Sequence, residues 1–512
     1  MSFLFFKNNN DKYPSLARAL PMNEQVIIKP LLLVFSGVLI LWMTAQIRIT
    51  LFFTPVPITG QTFGVLILAA AYGSRLGVTT MLAYLFVGIA GLPVFAGASS
   101  GWSYFSGATA GYLVGFVAAA YVVGYLSEMG WDRKPISVVL SMLIGIPKEI
   151  KPQENRVGLT AQSVKSLVKE GHEVIVESGA GNGSGFLDKD YIESGAKILN
   201  SANEVFSNAE LIIKVKEPQD QEVELLRKDQ ILFTYLHLAA NKKLTEGLIN
   251  SGSTCIAYET VTDENNRLPL LAPMSEVAGR ISIQAGARSL EMTNKGRGVL
   301  LSGATGAPPA DVVIIGCGVV GFNAALIAHG MKANVILIDQ SEARLKQLEE
   351  YIEGRVKTVI YNHQTIEENV ANCDLLIGGV LVPGATAPKL VSKELVSKMR
   401  KGAALVDVAI DQGGCIETSK PTTHADPVYI YSDVVHYCVT NMPGCVPRTS
   451  TISLNQATLP FVSNLAKNGL KKALSSDQNF LNGLNIMAGN CTQKDVARDL
   501  ELEFLEPEKL IA

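Results

Sequence analysis

The chain has 512 residues, with 44 lysines and arginines against 47 aspartates and glutamates, and a formal net charge of −3. That balance argues against a nucleic-acid partner, which calls for a basic surplus. The average hides a division: between residues 31 and 127 the only charged side chains are Arg48 and Arg75, whereas from Lys148 onward charges recur every few residues, as on a water-facing surface.

Residues 1–30 form a polar tail carrying Lys7, Lys12, Arg18 and Lys29. The apolar run begins too late for a signal peptide, and no small-residue cleavage site precedes it. Residues 31–47, 76–96 and 107–127 are apolar enough to span a bilayer. Residues 62–72 are shorter and need their neighbours to approach the ~20 residues of a span. The expectation is about four transmembrane helices, with lipid contact over residues 31–127. The basic tail, Arg75, Arg133 and Lys134 would lie on the cytoplasmic side and the uncharged 97–106 loop outside, with Arg48 dissenting. Small residues, as in "GATAGYLVGFVAAAYVVGYL", let such helices approach closely.

The stretch "SVVLSMLIGIPKEIKPQENRVGLT" can be read from either side. Residues 136–146 precede Pro147, Lys148 and Glu149. A run that short cannot cross ~30 Å of hydrocarbon as a helix. A further crossing would also put the rest of the chain outside the cell. "LIGI" at 143–146 therefore reads as the first strand of a soluble domain, and residues 136–141 as the stub of a membrane helix.

From there, strands and amphipathic helices alternate to about residue 440, which predicts a parallel-sheet α/β fold. "TAQSVKSLVKEG" is a helix ended by Gly171, and "HEVIVESG" the next strand. All seven cysteines follow residue 250, with no Cys-x-x-Cys pair. They read as buried small residues in a reduced compartment, and no metal site is expected of them.

"ADVVIIGCGVVGFNAALIAHGMKANVILIDQS" holds the strongest local motif. A strand over 312–315 runs into Gly316-x-Gly318-x-x-Gly321, a helix follows to about Gly330, and a second strand over 334–338 ends at Asp339. Such glycines permit a tight turn and close approach to a pyrophosphate at a helix N-terminus. Asp339 stands where a carboxylate can take ribose hydroxyls and repel a 2′-phosphate, so NAD is expected rather than NADP.

Other polar residues sit at the ends of apolar runs: Lys214 and Lys216 in "LIIKVKEP", His237 in "ILFTYLHLAA", Asp407 and Asp411 in "ALVDVAIDQGG". A strand-end lysine is often merely solvated and a lone histidine often a satisfied core residue. Together, at the ends of parallel strands, they suggest a site.

Two resemblances sharpen this. "FFTPVPITGQTFGVLILAAAYGSRLG", "GIAGLPVFAG" and "GATAGYLVGF" resemble the substrate-binding membrane component of energy-coupling-factor biotin transporters, over about residues 31–141. That family continues with further helices and a polar cluster that have no counterpart here, so the segment is truncated and biotin is left as an open ligand. "IGIPKEIKPQENRVGLT", "LIIKVKEP", "ILFTYLHLAA", "LPLLAPMSEVAGR", "LVDVAIDQGGCIETSKPTTH" and "VTNMPGCVPRTST" resemble L-alanine dehydrogenase from Met142 onward. The overall expectation is an α-helical membrane segment followed by α/β, with two Rossmann-like domains: a substrate domain from 142–269 plus 449–512 and an NAD domain over 270–448.

The second resemblance implies reversible, NAD-dependent deamination of L-alanine to pyruvate and ammonium by a homohexamer, which the preceding helices and their flanking charges would hold on the cytoplasmic side of the inner or plasma membrane. It implies Arg156 and Lys216 as holders of the substrate carboxylate, and His237 and Asp411 as the acid/base pair. For the cofactor it implies Ser275, Gly316, Gly318, Gly321, Asp339, Arg344, Val380, Leu381, Val408, Ala409, Ile410, Asp411, Val439, Thr440, Asn441 and Met442. Some members bind a divalent metal through the glutamate matching Glu259 and a distant histidine. Asn468 stands at that second place, and no metal is expected. Two alternatives stay open: the NAD-binding subunit of a transhydrogenase, and a membrane biotin-binding protein with a passenger enzyme.

Overall fold

The charge-poor region folds into apolar helices in the computed structural model, which describes residues 28–49, 58–107, 109–128, 141–352, 356–380 and 387–511. These helices are α1 (Ile28–Gln46), α2 (Gln61–Ile89) and α3 (Ala110–Glu128). Among the described residues, two helices are long and apolar enough to cross a membrane, Gln61–Ile89 and Ala110–Ser127, while Leu31–Gln46 is shorter. The expected runs 62–72 and 76–96 thus meet in one element, interrupted at Gly73 by a non-helical backbone (φ 80, ψ 175).

Small residues set the spacing of these helices. A Cβ on Gly124 would come within 2.5 Å of the Gly73 carbonyl carbon, and one on Gly37 within 2.5 Å of Thr80. Phe35, Phe63, Phe86 and Tyr112 are exposed on the outer faces. That pattern suits surroundings of hydrocarbon rather than water. The Arg48 guanidinium lies beside Gly97, at the loop that charge counting places opposite the basic side. Arg133, Lys134 and residues 136–140 of the stub lie outside the described residues.

The chain divides into two compact units between Val139 and Leu140. In the second unit, short runs rich in Ile, Val and Leu form β1 (Leu143–Ile146), β2 (Glu173–Glu177), β3 (Lys197–Leu199), β4 (Leu211–Ile213), β5 (Ile231–Thr234) and β6 (Thr254–Ala257). Strands buried on both faces show such unbroken apolar runs, and these six pair in parallel. Helix α4 (Ala161–Lys169) connects β1 to β2, with the Thr160 hydroxyl capping it by accepting the Ser163 N–H.

A second sheet follows: β7 (Asp311–Ile315), β8 (Asn334–Asp339), β9 (Lys357–Ile360), β10 (Leu375–Gly378), β11 (Ala404–Asp407), β12 (Val428–Tyr431) and β13 (Val434–Tyr437). Its order is β9-β8-β7-β10-β11-β13-β12, parallel except for the final hairpin. The chain then returns to the first sheet with β14 (Leu484–Met487) and β15 (Asn490–Cys491), making the order β15-β14-β6-β5-β4-β1-β2-β3. The apolar clusters Ile144–Phe233–Leu465 and Val205–Leu232–Ile486 belong to the first sheet; Val312–Ile377 and Val313–Leu405 belong to the second. Helices α5 (Ala272–Ser289) and α6 (Pro447–Asn468), which join the two parts, pack on each other. Leu143–Ile146 pairs with both β2 and β4, so the ambiguous run is an interior strand of the first sheet.

Candidate active site

The segment after β1 turns back into the protein and buries Arg156, which is only 2% exposed. Its fork is already engaged. Nε donates to Glu154 Oε1 at 2.7 Å and Nη2 to Glu154 Oε2 at 2.6 Å. Nη2 also donates to Asn441 Oδ1 at 2.7 Å, while Nη1 donates to the Met274 sulfur at 3.0 Å. An arginine can grip a planar carboxylate with two parallel hydrogen bonds, but here most of the fork is occupied, and Nη1 is the edge with a weak, replaceable acceptor. Burial alone would raise the Glu154 carboxyl, but the hydrogen bonds and charge of Arg156 outweigh it and bring it down to about 2.

Asn441 ties this pair to the second sheet. Its side-chain amide donates to Glu154 Oε2 at 3.0 Å, and its backbone N–H points at the Asp411 carboxylate at 3.3 Å. Asn441 has a left-handed backbone (φ 57), a conformation asparagine tolerates better than most residues. Its neighbours Val439, Thr440 and Met442 lie in the same turn after β13, with Val439 and Met442 buried. Asp411 itself is exposed, in the helical turn Val408–Gln412 that also carries Ala409 and Ile410. Asp407, four residues earlier, is fully buried instead. It accepts hydrogen bonds from the Ala409, Cys415 and Ile416 N–H groups and the Ser419 hydroxyl, so it braces the loop that presents Asp411.

Lys216 follows β4 and lies within electrostatic reach of Arg156, Glu217 and Asp411. Burial, then the charge of Arg156, holds its ammonium below the ordinary lysine range. Lys214 is no solvated strand-end lysine: it is fully buried between Glu149 and Glu222, at 2.9 and 2.7 Å. His237 has left-handed φ (51), and its ring stacks parallel to Tyr235 at 5.8 Å. Glu259 accepts its backbone N–H at 2.5 Å, and His237 Nδ1 stands 3.8 Å from the same oxygen. The ring is about half exposed, with 46% of the side chain accessible, which excludes the core-histidine reading. Tyr235, buried two residues earlier, lies in the field of both Arg156 and Glu259 and so links the two groups of site residues.

The glycine turn stands at the C-terminal end of β7. Gly316 has φ 93, and a Cβ on Gly321 would lie 1.8 Å from the Gly316 oxygen. A Cβ on Gly318 would meet nothing within 4 Å, so that position opens to whatever approaches the loop. Asp339, at the end of β8, accepts the Cys317 N–H at 2.6 Å and the Ser341 N–H at 2.8 Å. Arg344 Nε donates to the Cys317 carbonyl at 2.9 Å, fixing the loop from the other side. Val380 borders Gly316 beyond β10. Ser275 occupies the first turn of α5, and a Cβ on Gly279 one turn later would collide with the Val320 oxygen. This cradle of tight glycines, an open middle glycine and a strand-end acid fits a dinucleotide pyrophosphate and ribose. Leu381 lies outside the described residues.

The geometry joins Arg156, Asn441 and Asp411 directly and Lys216 electrostatically, with His237 linked through Tyr235. Sequence reasoning missed Glu154, Tyr235 and Met274. The spacing offered a faint signal for the first two, since each stands two residues before a candidate in an extended segment, where i and i+2 share a side. Nothing local marks Met274.

Comparison with known proteins gives three family matches. Residues 145–278 match the family model "Alanine dehydrogenase/PNT, N-terminal domain", residues 282–494 match "Alanine dehydrogenase/PNT, C-terminal domain", and residues 18–148 match the BioY family. The last match overlaps the first over 145–148, where the strand pairing of Leu143–Ile146 sides with the enzyme. Alanine dehydrogenase of Halomonas elongata is 54% identical over 370 residues, which are 72% of this chain and 100% of that protein. A solved L-alanine dehydrogenase is 52% identical with TM-score 0.69, covering 70% of this chain and 99% of its own. A transhydrogenase structure from Sinorhizobium meliloti shares the fold, with 23% identity, TM-score 0.60, and coverage of 69% and 99%.

Proposed function

Since this chain belongs to the alanine dehydrogenase family, we propose that residues 142–512 catalyse L-alanine + NAD⁺ + H₂O ⇌ pyruvate + NH₄⁺ + NADH + H⁺. The observation that carries this reading is the buried Glu154–Arg156 pair, tied through Asn441 to the exposed Asp411, with Lys216 in its field. It is a compact set of charges suited to a small amino or oxo acid.

When bound, the nicotinamide exchanges hydride with the substrate Cα. Lys216 and Nη1 of Arg156 hold the substrate carboxylate, the second by exchanging the Met274 sulfur for an oxygen. Asp411, solvent-facing, stabilises the cationic amine or iminium and orients the attacking water. His237 takes and returns the proton as water adds and the carbinolamine collapses. Glu259 and Tyr235 hold the His237 turn in place. On the cofactor side, Asp339 would hold the ribose hydroxyls and the Gly316–Gly321 turn the pyrophosphate, with Ser275, Arg344, Val380, Leu381, Val408, Ala409, Ile410 and residues 439–442 as the further residues that would hold the dinucleotide.

The same reading sets a substrate domain at 142–269 plus 449–512, an NAD domain at 270–448, and assembly as a homohexamer. It also takes the BioY-like segment as about four spans that hold the enzyme at the cytoplasmic face. The two apolar helices and the family match support membrane association of that segment. The full chain, purified in detergent, should form NADH from NAD⁺ only when L-alanine is added. NADH oxidation with NADP⁺ and no dependence on alanine would instead favour a transhydrogenase-type subunit.

A further inference from the structure

Two lysines leave β4 two residues apart, and one carboxylate handles both. Glu149 stands just after β1. Its Oε2 accepts the buried Lys214 ammonium at 2.9 Å, and its Oε1 accepts the Val215 N–H at 2.6 Å and the Lys216 N–H at 3.3 Å. Lys214 turns its other side to Glu222 Oε1 at 2.7 Å, and Glu222 Oε2 caps the next helix through the Gln219 N–H. Seven residues beyond Glu149, the same segment delivers Arg156. Lys151 on that segment pairs with Glu217, next to Lys216, as a second clasp.

We propose that Glu149 is a positioning residue for the substrate carboxylate: it fixes the Lys216 backbone against the segment that carries Arg156, so that both cations address the same anion. The proposal rests on the reading that Lys216 and Arg156 bind that carboxylate. The hydrogen bonds call for two accepting oxygens at this place. Both oxygens of Glu149 accept, one from backbone N–H groups and one from an ammonium, whereas an amide offers one accepting oxygen and must turn its NH₂ toward another donor. Glu222 shares Lys214 but, among the described residues, makes no hydrogen bond to Lys216, so it separates holding the buried cation from setting the site.

The test uses the full chain in detergent, measuring pyruvate KM, kcat, NADH affinity by fluorescence and thermal stability. E149Q, and E149D with its carboxylate one methylene short, should each raise pyruvate KM about tenfold or more, the scale of one lost charge-assisted hydrogen bond. NADH affinity should stay unchanged in both. E222Q should lower thermal stability yet leave pyruvate KM near wild type. If E149Q does not fold, E149D carries the test, because it keeps the charge and both acceptors. An unchanged pyruvate KM in the Glu149 variants, or an equal rise in E222Q, would overturn the proposal. K216A and R156K probe the underlying reading separately: if they leave pyruvate KM unchanged, the carboxylate site is elsewhere. If they raise it while the Glu149 variants do not, only the positioning role fails.

Discussion

His237 and Asp411 share exposure to solvent, and the pairs around them are what tune the site. His237→Ala and Asp411→Ala should each reduce turnover by roughly 10²–10⁴-fold, the range of one acid/base group. NADH binding, followed by fluorescence, should persist in both. Glu154 makes a pH statement. Its folded pKa of about 2 lies below the ordinary 4.5, so its pairing with Arg156 stabilises the fold fully above about pH 4.5. That contribution fades as pH falls toward 2. Glu154→Gln should destabilise the enzyme at neutral pH, because it leaves a buried guanidinium short of its counter-charge. The loss of stability on acidification should become shallower than in wild type, as measured by thermal melts across this range.

At the level of elements, the β7–turn–helix–β8 unit shows how short-range pattern and close contact reinforce each other. The turn works because Gly321 leaves room for the Gly316 oxygen and because Asp339 reaches the Cys317 N–H from the neighbouring strand. The carboxylate that ties the loop is thus the one assigned to the ribose. Asp339→Ala should narrow the preference for NAD⁺ over NADP⁺, read as the ratio of kcat/KM for the two cofactors. Equal use of both by the wild-type enzyme would remove Asp339 from that role. The helices of the first unit follow a different rule, in which glycines set contact distance and large apolar side chains face outward.

For the whole molecule, the division between Val139 and Leu140 sits immediately before a strand that the enzyme sheet cannot lose, since β1 lies between β4 and β2. Residues 142–512, produced alone, should be soluble, oligomeric and as active per site as the full chain. Inactivity or aggregation of that fragment, by size-exclusion chromatography and NADH assay, would show that the preceding helices contribute to the enzyme's fold. A fragment starting after residue 147 should not fold, because it deletes the central strand.

What was legible in the sequence was local. The charge gap over residues 31–127, the strand at 143–146 and the Gly316–Gly321 turn with Asp339 each follow from a few neighbouring residues, whose periodicity or steric demand survives without knowledge of the fold. Arg156, Lys216, His237 and Asp411 came from segment resemblance, since their residue types alone allowed bland readings. The tertiary structure decided the rest. It brought Asn441 onto Arg156 across 285 residues of chain, placed Met274 against the free edge of the guanidinium and gave the fork to Glu154. It separated Lys214 from Lys216, and Asp407 from Asp411: Lys214 and Asp407 are fully sealed among hydrogen-bond partners, whereas Lys216 is partly enclosed and Asp411 exposed. Burial and partner choice are properties of the packed chain: two like residues a few positions apart carry the same sequence signal, and only the surfaces that close over them determine which is sealed into a polar network and which keeps access to solvent.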